Sequence, residues 1–86
     1  MTDLKGLLEM LAKGLTDYPF VVNAIEGEQT TVLELKVSKA DMGKVIGKQG
    51  RIAKSIRNVM KAVAMHLGKR VQVVIIQSND DSSSLN

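Results

Sequence analysis

The sequence of 86 residues contains no cysteine and a single histidine. The lack of cysteine excludes a disulfide scaffold, a thiolate zinc site and a catalytic thiol. One histidine alone offers little for metal binding or acid–base chemistry. These absences favour a binding protein over an enzyme, and we expect it to need no metal or other cofactor.

Aromatic side chains are also scarce. Tyr18 and Phe20 are the only two, so the chain cannot build the aromatic platforms on which RRM and OB-type domains stack bases. The apolar runs are too short to span a membrane. The first residues lack the charged-then-apolar order of an export signal. We therefore expect a cytoplasmic protein without a membrane partner.

Acidic residues are rare in the middle of the chain. Residues 36–70 contain ten lysines and arginines but one acid, Asp41, which gives this block a formal charge of +9. Residues 1–35 have a formal charge of −4 and residues 71–86 a charge of −2. A basic block of this kind is expected of a protein that meets a polyanion. A solvated basic face kept for solubility is the alternative.

The first half of the chain predicts a helix followed by a hairpin. Leucines recur at helical spacing and predict an amphipathic helix over residues 3–15, which Thr2 or Asp3 can cap. An apolar segment and an alternating segment flank a turn and predict an antiparallel hairpin over residues 20–37. The alternation places one face of its second strand in the core.

The basic block predicts two helices joined by a glycine-bracketed loop, over residues 38–67. Ser38 and Asp41 have the spacing of a capping box, which gives Asp41 a structural role. Gly68 is placed as a left-handed cap at the end of the second helix. In that helix the large aliphatic residues recur at helical spacing and are expected to be its buried stripe: Ile52, Ile56, Val59, Val63 and Leu67.

The last apolar segment completes the predicted fold. Residues 71–76 are nearly all apolar and predict a strand, whereas residues 78–86 are polar and serine-rich and are expected to be a disordered tail. The predicted order is α-β-β-α-α-β within one domain over residues 1–77. We therefore predict an α+β fold in which a three-stranded sheet packs against helices.

The loop between the two helices has the chemistry of a phosphate site. Gly47 and Gly50 permit a tight turn and let another backbone approach closely. The turn also directs the free amide hydrogens of the following helix to the same place. A phosphate group is the natural occupant of such a site. Lys48 and Gln49 add a cation and a neutral donor–acceptor.

Polar and basic side chains continue from this loop along the second helix. They recur at helical spacing beside the apolar stripe, with one lysine before the loop: Lys44, Arg51, Lys54, Arg57, Asn58 and Lys61. These side chains can follow a sugar–phosphate backbone as it leaves the loop. An ordinary solvated helix face is the alternative, most of all for Lys61.

No enzyme motif fits the chain. A P-loop requires Gly-Lys-Ser/Thr where this chain has Lys48-Gln49-Gly50. His66 and Ser55 are 11 residues apart in one helix, about 16 Å along its axis, so they cannot form a nucleophile–base pair within one subunit. The basic block has no carboxylate pair that could hold a metal for nuclease chemistry.

The block from Val45 to Ile56 resembles the signature of the K-homology (KH) domain, which is an apolar pair, a GxxG loop and an amphipathic helix. The order of the predicted elements is similar to the type II, prokaryotic form of that fold. The resemblance is closer still to the small stand-alone bacterial KH proteins of the KhpA type. It covers about residues 3–77, and residues 26–35 and 43–51 carry most of it.

The resemblance implies binding of single-stranded RNA, with about four nucleotides clamped against the GxxG loop, residues 47–50. By position, the loop residues hold the RNA backbone, and Val45, Ile46 and Ile56 form the apolar floor under the bases. Val37 and its strand neighbours form the edge of that groove. The usual KH pattern has isoleucine where this chain has Ala53, so base preference does not carry over.

The resemblance also implies partners and a cellular role. Proteins of this type act as RNA chaperones or post-transcriptional regulators, and are tied to control of bacterial cell elongation and division. They form homodimers or heterodimers with a larger KH-containing protein. The alternative function is therefore a protein-interaction subunit in which RNA binding is weak or depends on the partner.

Overall fold

The structure is a computed structural model that describes residues 3–78. Three helices, three strands and one short 3-10 turn follow in the predicted order: α1 (Leu4–Leu15), β1 (Val21–Glu26), β2 (Thr30–Val37), α2 (Lys39–Ile46), the 3-10 turn (Lys48–Gly50), α3 (Arg51–His66) and β3 (Arg70–Gln77). The α+β class is confirmed. The last strand extends one residue beyond the predicted segment at each end.

The sheet has β2 at its centre and β1 and β3 at its edges. β1 pairs with β2 antiparallel, so that Ala24 lies beside Leu33, as the predicted hairpin requires. β3 pairs with β2 in parallel and places Val73 on the other side of Leu33. A parallel pair needs a long crossover, and α2, the loop and α3 form it. The glycine loop is therefore held by helices that the sheet fixes at both ends.

The core lies between the helices and one face of the sheet. Leu33, Leu35 and Val37 alternate along β2 and have no exposed surface, as their period of two predicts. From the helix side, Leu8 of α1 and Met60 of α3 are also fully buried. Each buried aliphatic side chain of this size contributes about 1.5–3 kcal/mol to folding. This shared core fixes α3 against the sheet.

The buried stripe of α3 differs from the predicted one. The side chains that face the core are spaced three and four residues apart: Ala53, Ile56, Met60 and Ala64. Val59 and Leu67, which the sequence placed in the stripe, are 45% and 42% exposed. The two alanines explain the difference, because a small side chain lets the helix backbone lie close to its neighbours. The prediction is confirmed for Ile56, which is buried, and Ile52 and Val63 are partly buried and pack against the core. It followed residue size and was wrong for Val59 and Leu67.

The ends of the described chain are anchored by hydrogen bonds. The Asp3 carboxylate caps α1 by accepting from the Gly6 amide. At the other end, the Ser78 amide donates to the Val37 carbonyl at 2.7 Å, so the backbone is still held at Ser78, the first residue of the predicted tail. Thr2 and residues 79–86 lie outside the described residues. Within residues 3–78 no helix is both long and apolar enough to cross a membrane.

Candidate nucleic-acid interface

The GxxG loop has a backbone that only glycine accommodates at its first position. Gly47 has φ 79° and ψ 176°, a combination that other residues almost never adopt. A Cβ atom at Gly47 would lie 2.6 Å from a side-chain carbon of Ile52. The upstream end of the loop therefore packs tightly against α3, and its geometry leaves no space for another side chain.

The downstream end of the loop is open. Gly50 has φ 73° and caps the start of α3, and a Cβ atom there would meet nothing within 4 Å. The Gly50 amide donates to the Gly47 carbonyl at 3.2 Å, which closes the turn. Lys48 and Gln49 are exposed at its tip. Another molecule can thus approach the backbone at Gly50, beside the positive end of the α3 dipole.

Asp41 is fully buried and ties α2 to the linker between α1 and β1. Its carboxylate accepts from the amides of Asp17 and Tyr18 at 3.1 and 3.0 Å. The Ser38 hydroxyl accepts from the Asp41 amide at 3.3 Å, so the predicted cap is confirmed. The carboxylate, however, reaches mainly to the linker. Asp41 therefore fixes the helix that leads into the loop.

The same contacts set the charge of this carboxylate. Burial by itself raises the pKa of Asp41, but the amides of Asp17 and Tyr18, the Ser38 hydroxyl and the charge of Lys44 outweigh it. The pKa consequently lies below its ordinary value, and the group is ionised at neutral pH. Its role is structural, as the sequence indicates.

Lys44 is engaged within the protein. Its ammonium group forms an ion pair with the Asp17 carboxylate and lies 3.7 Å from a carboxylate oxygen of Asp41. The hydrogen bond to Asp17 is the main cause that raises the pKa of Lys44, and the charges of both acids add to it. The sequence placed Lys44 among the RNA-binding residues, but two acids already balance its charge.

The predicted basic face of α3 is present. All five of its predicted side chains are exposed: Arg51, Lys54, Arg57, Asn58 and Lys61. Positions 54, 57 and 61 share one side of the helix, and the Arg57 guanidinium donates to the Val73 carbonyl of β3 at 3.2 Å. That contact shows that this side of α3 faces the free edge of the sheet.

A groove of about 480 Å³ lies between α3 and β3. Arg57 and Lys61 line one wall, and residues 71–75 of β3 line the other. The sequence placed Val37 at the groove edge, and this was wrong because Val37 belongs to the central strand and is fully buried. The edge strand beside α3 is β3. Its apolar run was visible in the sequence, but its position at the edge depends on the parallel pairing.

The predicted apolar floor divides into exposed and buried parts. Ile46 is partly exposed, whereas Val45 has no exposed surface and Ile56 is 5% exposed. Val45 and Ile56 therefore belong to the hydrophobic core, and Ile46 is the member of this set that another molecule can touch. Ala53, at the position where the KH pattern has isoleucine, is 3% exposed and faces the core.

Residues 5–75 match the family model described as the KhpA/KhpB KH domain. The chain belongs to this family. The predicted resemblance and the KH-like fold are thereby confirmed. Within residues 3–78, the KhpA/KhpB chain contains no group of three or more histidine, cysteine or acidic side chains that could hold a metal ion.

Named relatives of this KhpA/KhpB chain agree with the family. It is 59% identical over 75 residues to the RNA-binding protein KhpA of Clostridium acetobutylicum, covering 85% of this chain and all of the relative. It is 57% identical over 75 residues to the protein of the same name from Clostridium perfringens, with the same coverage. The Aquifex aeolicus protein of that name is 47% identical over 79 residues, 90% of this chain and all of the relative. No solved structure matches the chain. These names describe binding proteins and not enzymes, as the sequence predicts.

Proposed function

We propose that this protein binds single-stranded RNA at the GxxG loop and along the groove between α3 and β3. The observation that carries the proposal is the open backbone at Gly50, flanked by the exposed Lys48 and Gln49 at the positive end of α3. The name shared by the relatives, RNA-binding protein, supports the choice of ligand.

In this proposal the loop clamps the sugar–phosphate backbone of about four nucleotides. A phosphate lies against Gly50, where no side chain intervenes, and Lys48 neutralises part of its charge. Lys54 and Lys61 follow the strand along α3. The bases contact Ile46 and the aliphatic wall of β3, because Tyr18 and Phe20 cannot supply a stacking platform.

Recognition of this kind predicts modest affinity and broad sequence preference. The contacts are to backbone phosphates and aliphatic surfaces, which carry little base information. Weak, general binding suits an RNA chaperone or post-transcriptional regulator, which must release its RNA, and this role and a cytoplasmic location are part of the proposal. The link to cell elongation and division stays an implication of the resemblance.

Replacing the loop tip with acids tests the proposal. Lys48→Asp with Gln49→Asp places negative charge where the phosphate is expected, and both residues are exposed. Aspartate also tolerates the positive φ of 56° at Gln49. Binding of a short uridine oligonucleotide, measured by fluorescence anisotropy, should fall at least tenfold, while the circular dichroism spectrum stays unchanged.

The matched control combines Lys13→Glu with Lys5→Gln on α1, which changes the net charge by the same three units. This control should bind RNA with an affinity close to that of the original protein. If the loop variant binds as tightly as the original protein, or if the control loses as much affinity, the loop is not the site.

A second candidate function is that of a subunit in a larger assembly, as a homodimer or with another KH-containing protein. One observation favours it, because Val21 and Ile25 on β1 are 53% and 54% exposed on the face of the sheet turned away from the helices. Light scattering with and without RNA separates the two functions. A stable oligomer that does not bind RNA would favour assembly, whereas a monomer that binds RNA would exclude the homodimer and favour the RNA-binding function.

A further inference from the structure

The groove beside α3 does not end at Lys61. A second concavity, of about 390 Å³, adjoins it and shares Lys61, Val71 and Gln72 with it as lining residues. The second concavity adds two further cations, Lys69 and Arg70, where the turn between α3 and β3 leads into β3. The two concavities thus form one channel along the free edge of the sheet.

The channel carries positive charge along its length. Arg57 and Lys61 line it from α3, and Lys69 and Arg70 lie at its far end. Lys54 is on the same side of α3, one turn nearer the loop. All five are exposed. Within residues 3–78, none of them is in an ion pair with an acid. Their charge is therefore available to an external anion.

The far end of the channel lies about the length of α3 away from the loop. α3 has 16 residues, which corresponds to a helix of about 24 Å. From Arg51, beside the loop, to Lys61 the rise is about 15 Å. The cations at Lys69 and Arg70 lie further still, so a clamp of about four nucleotides at the loop leaves them unused.

The surface at the far end also suits a nucleotide. Met65 is 71% exposed and lines the second concavity with Thr30 and Gln72. Its thioether offers an apolar surface to a base, and the hydroxyl and amide offer hydrogen bonds to base edges or to the ribose. The next concavity is also lined by Lys69 and Arg70, and Glu28 is the one acidic residue in its lining.

We propose that the RNA path continues past Lys61 to Lys69 and Arg70 at the far end of this channel, so that the protein binds a strand longer than four nucleotides. This inference rests on the proposed function, because it extends the same site. The occupant is the continuing single strand, since a row of cations that have no ion-pair partner within residues 3–78, beside an aliphatic wall, complements a sugar–phosphate backbone.

The test compares two oligouridine probes, of about four and about ten nucleotides, over a range of salt. Each added phosphate contact on a single strand steepens the salt dependence of log K by about 0.7. Two further contacts should make the longer probe lose about sevenfold more affinity than the shorter one between about 50 and 200 mM salt. Longer probes also offer more binding registers, so the deciding measurement is made on variants.

The variant Lys69→Gln with Arg70→Gln removes the far charges, and both side chains are exposed, so the fold should remain. With this variant the excess salt dependence of the long probe should disappear, while binding of the short probe is unchanged. Lys13→Glu on α1 makes the same change in net charge. In this control the long probe should still show a steeper salt dependence than the short probe.

The inference is overturned if the variant Lys69→Gln with Arg70→Gln still shows the full extra salt dependence of the long probe. It is also overturned if Lys13→Glu reduces that extra salt dependence by the same amount. It is also overturned if the original protein shows no excess with the longer probe. Failure of the proposed function has a different result, because in that case the loop variant binds the short probe with unchanged affinity whatever happens at the far end.

Discussion

The two sides of the GxxG loop use similar residues in opposite ways. Upstream, Gly47 packs against Ile52 and Lys44 is paired with Asp17 near the buried Asp41. Downstream, Gly50 has open space beside it. The only two ion pairs within residues 3–78 both involve Lys44, so the cations of α3 have no acidic partner.

This difference separates residues that build the loop from residues that are free to bind. The role of a glycine here depends on whether other side chains of the protein fill the space beside it. The role of a lysine depends on whether an acidic side chain of the protein already balances its charge. Substitutions upstream should therefore lower the stability of the fold. Substitutions downstream should lower RNA affinity and leave stability nearly unchanged.

Gly47→Ala should produce the largest loss of stability. It forces a side chain into a backbone conformation reserved for glycine and against Ile52, at a cost of about 3 kcal/mol. Thermal and urea denaturation measure this. Gly43→Ala is the matched control, because Gly43 lies in α2 with open space beside it, and alanine there should stabilise the helix by about 0.8 kcal/mol. If the two substitutions changed the free energy of unfolding equally, Gly47 would not be a residue that builds the loop.

Asp41→Asn should lower the melting temperature by about 10 °C. The amide keeps the size of the side chain but loses one acceptor for the backbone amides of Asp17 and Tyr18, and loses the charge near Lys44. Asp17→Asn, at an exposed carboxylate, is the control and should have a much smaller effect.

The same substitution changes how stability depends on pH. Because the pKa of Asp41 is lowered in the folded state, its contribution is complete above the ordinary carboxyl pKa of about 3.9 and is lost as the pH falls through the folded value. The original protein should therefore lose stability below about pH 4, and part of that loss should be absent from Asp41→Asn. Identical acid profiles for the two proteins would show that Asp41 does not contribute in this way.

Lys54→Gln tests the downstream side. Lys54 is exposed and has no ion-pair partner within the described residues, so its removal should change stability by less than about 0.5 kcal/mol. RNA affinity should fall and the salt slope should become shallower by about 0.7. Lys13→Gln on α1 is the control and should keep the slope. A loss of stability without a change in slope would place Lys54 with the structural residues.

The sequence predicts well the features that depend on neighbouring residues. The caps at Ser38 and Gly68 and the hairpin follow from local backbone chemistry, and the structure has all three. The glycine loop belongs to the same class, because positive φ at Gly47 and Gly50 is what their residue type permits. Each of these signals lies within a few residues of the feature that it predicts.

Features that depend on distant contacts were not predictable in this way. The partner of Lys44 is 27 residues away at Asp17, and nothing in the local pattern joins them. The groove wall at β3 depends on which strand lies at the sheet edge. The buried stripe of α3 includes Ala53 and Ala64, whose burial depends on how closely the neighbouring elements approach and not on residue size.

Lys44→Gln should have the smallest effect on RNA binding, less than about twofold at moderate salt. Its charge is already balanced by Asp17 and Asp41, so removing it leaves a local negative charge that only weakly opposes RNA. The salt slope should stay within experimental error of the original, which anisotropy titrations can measure beside Lys54→Gln. If Lys44→Gln instead changes the slope as much as Lys54→Gln does, RNA breaks the ion pair with Asp17 on binding. In that case Lys44 belongs with the downstream cations.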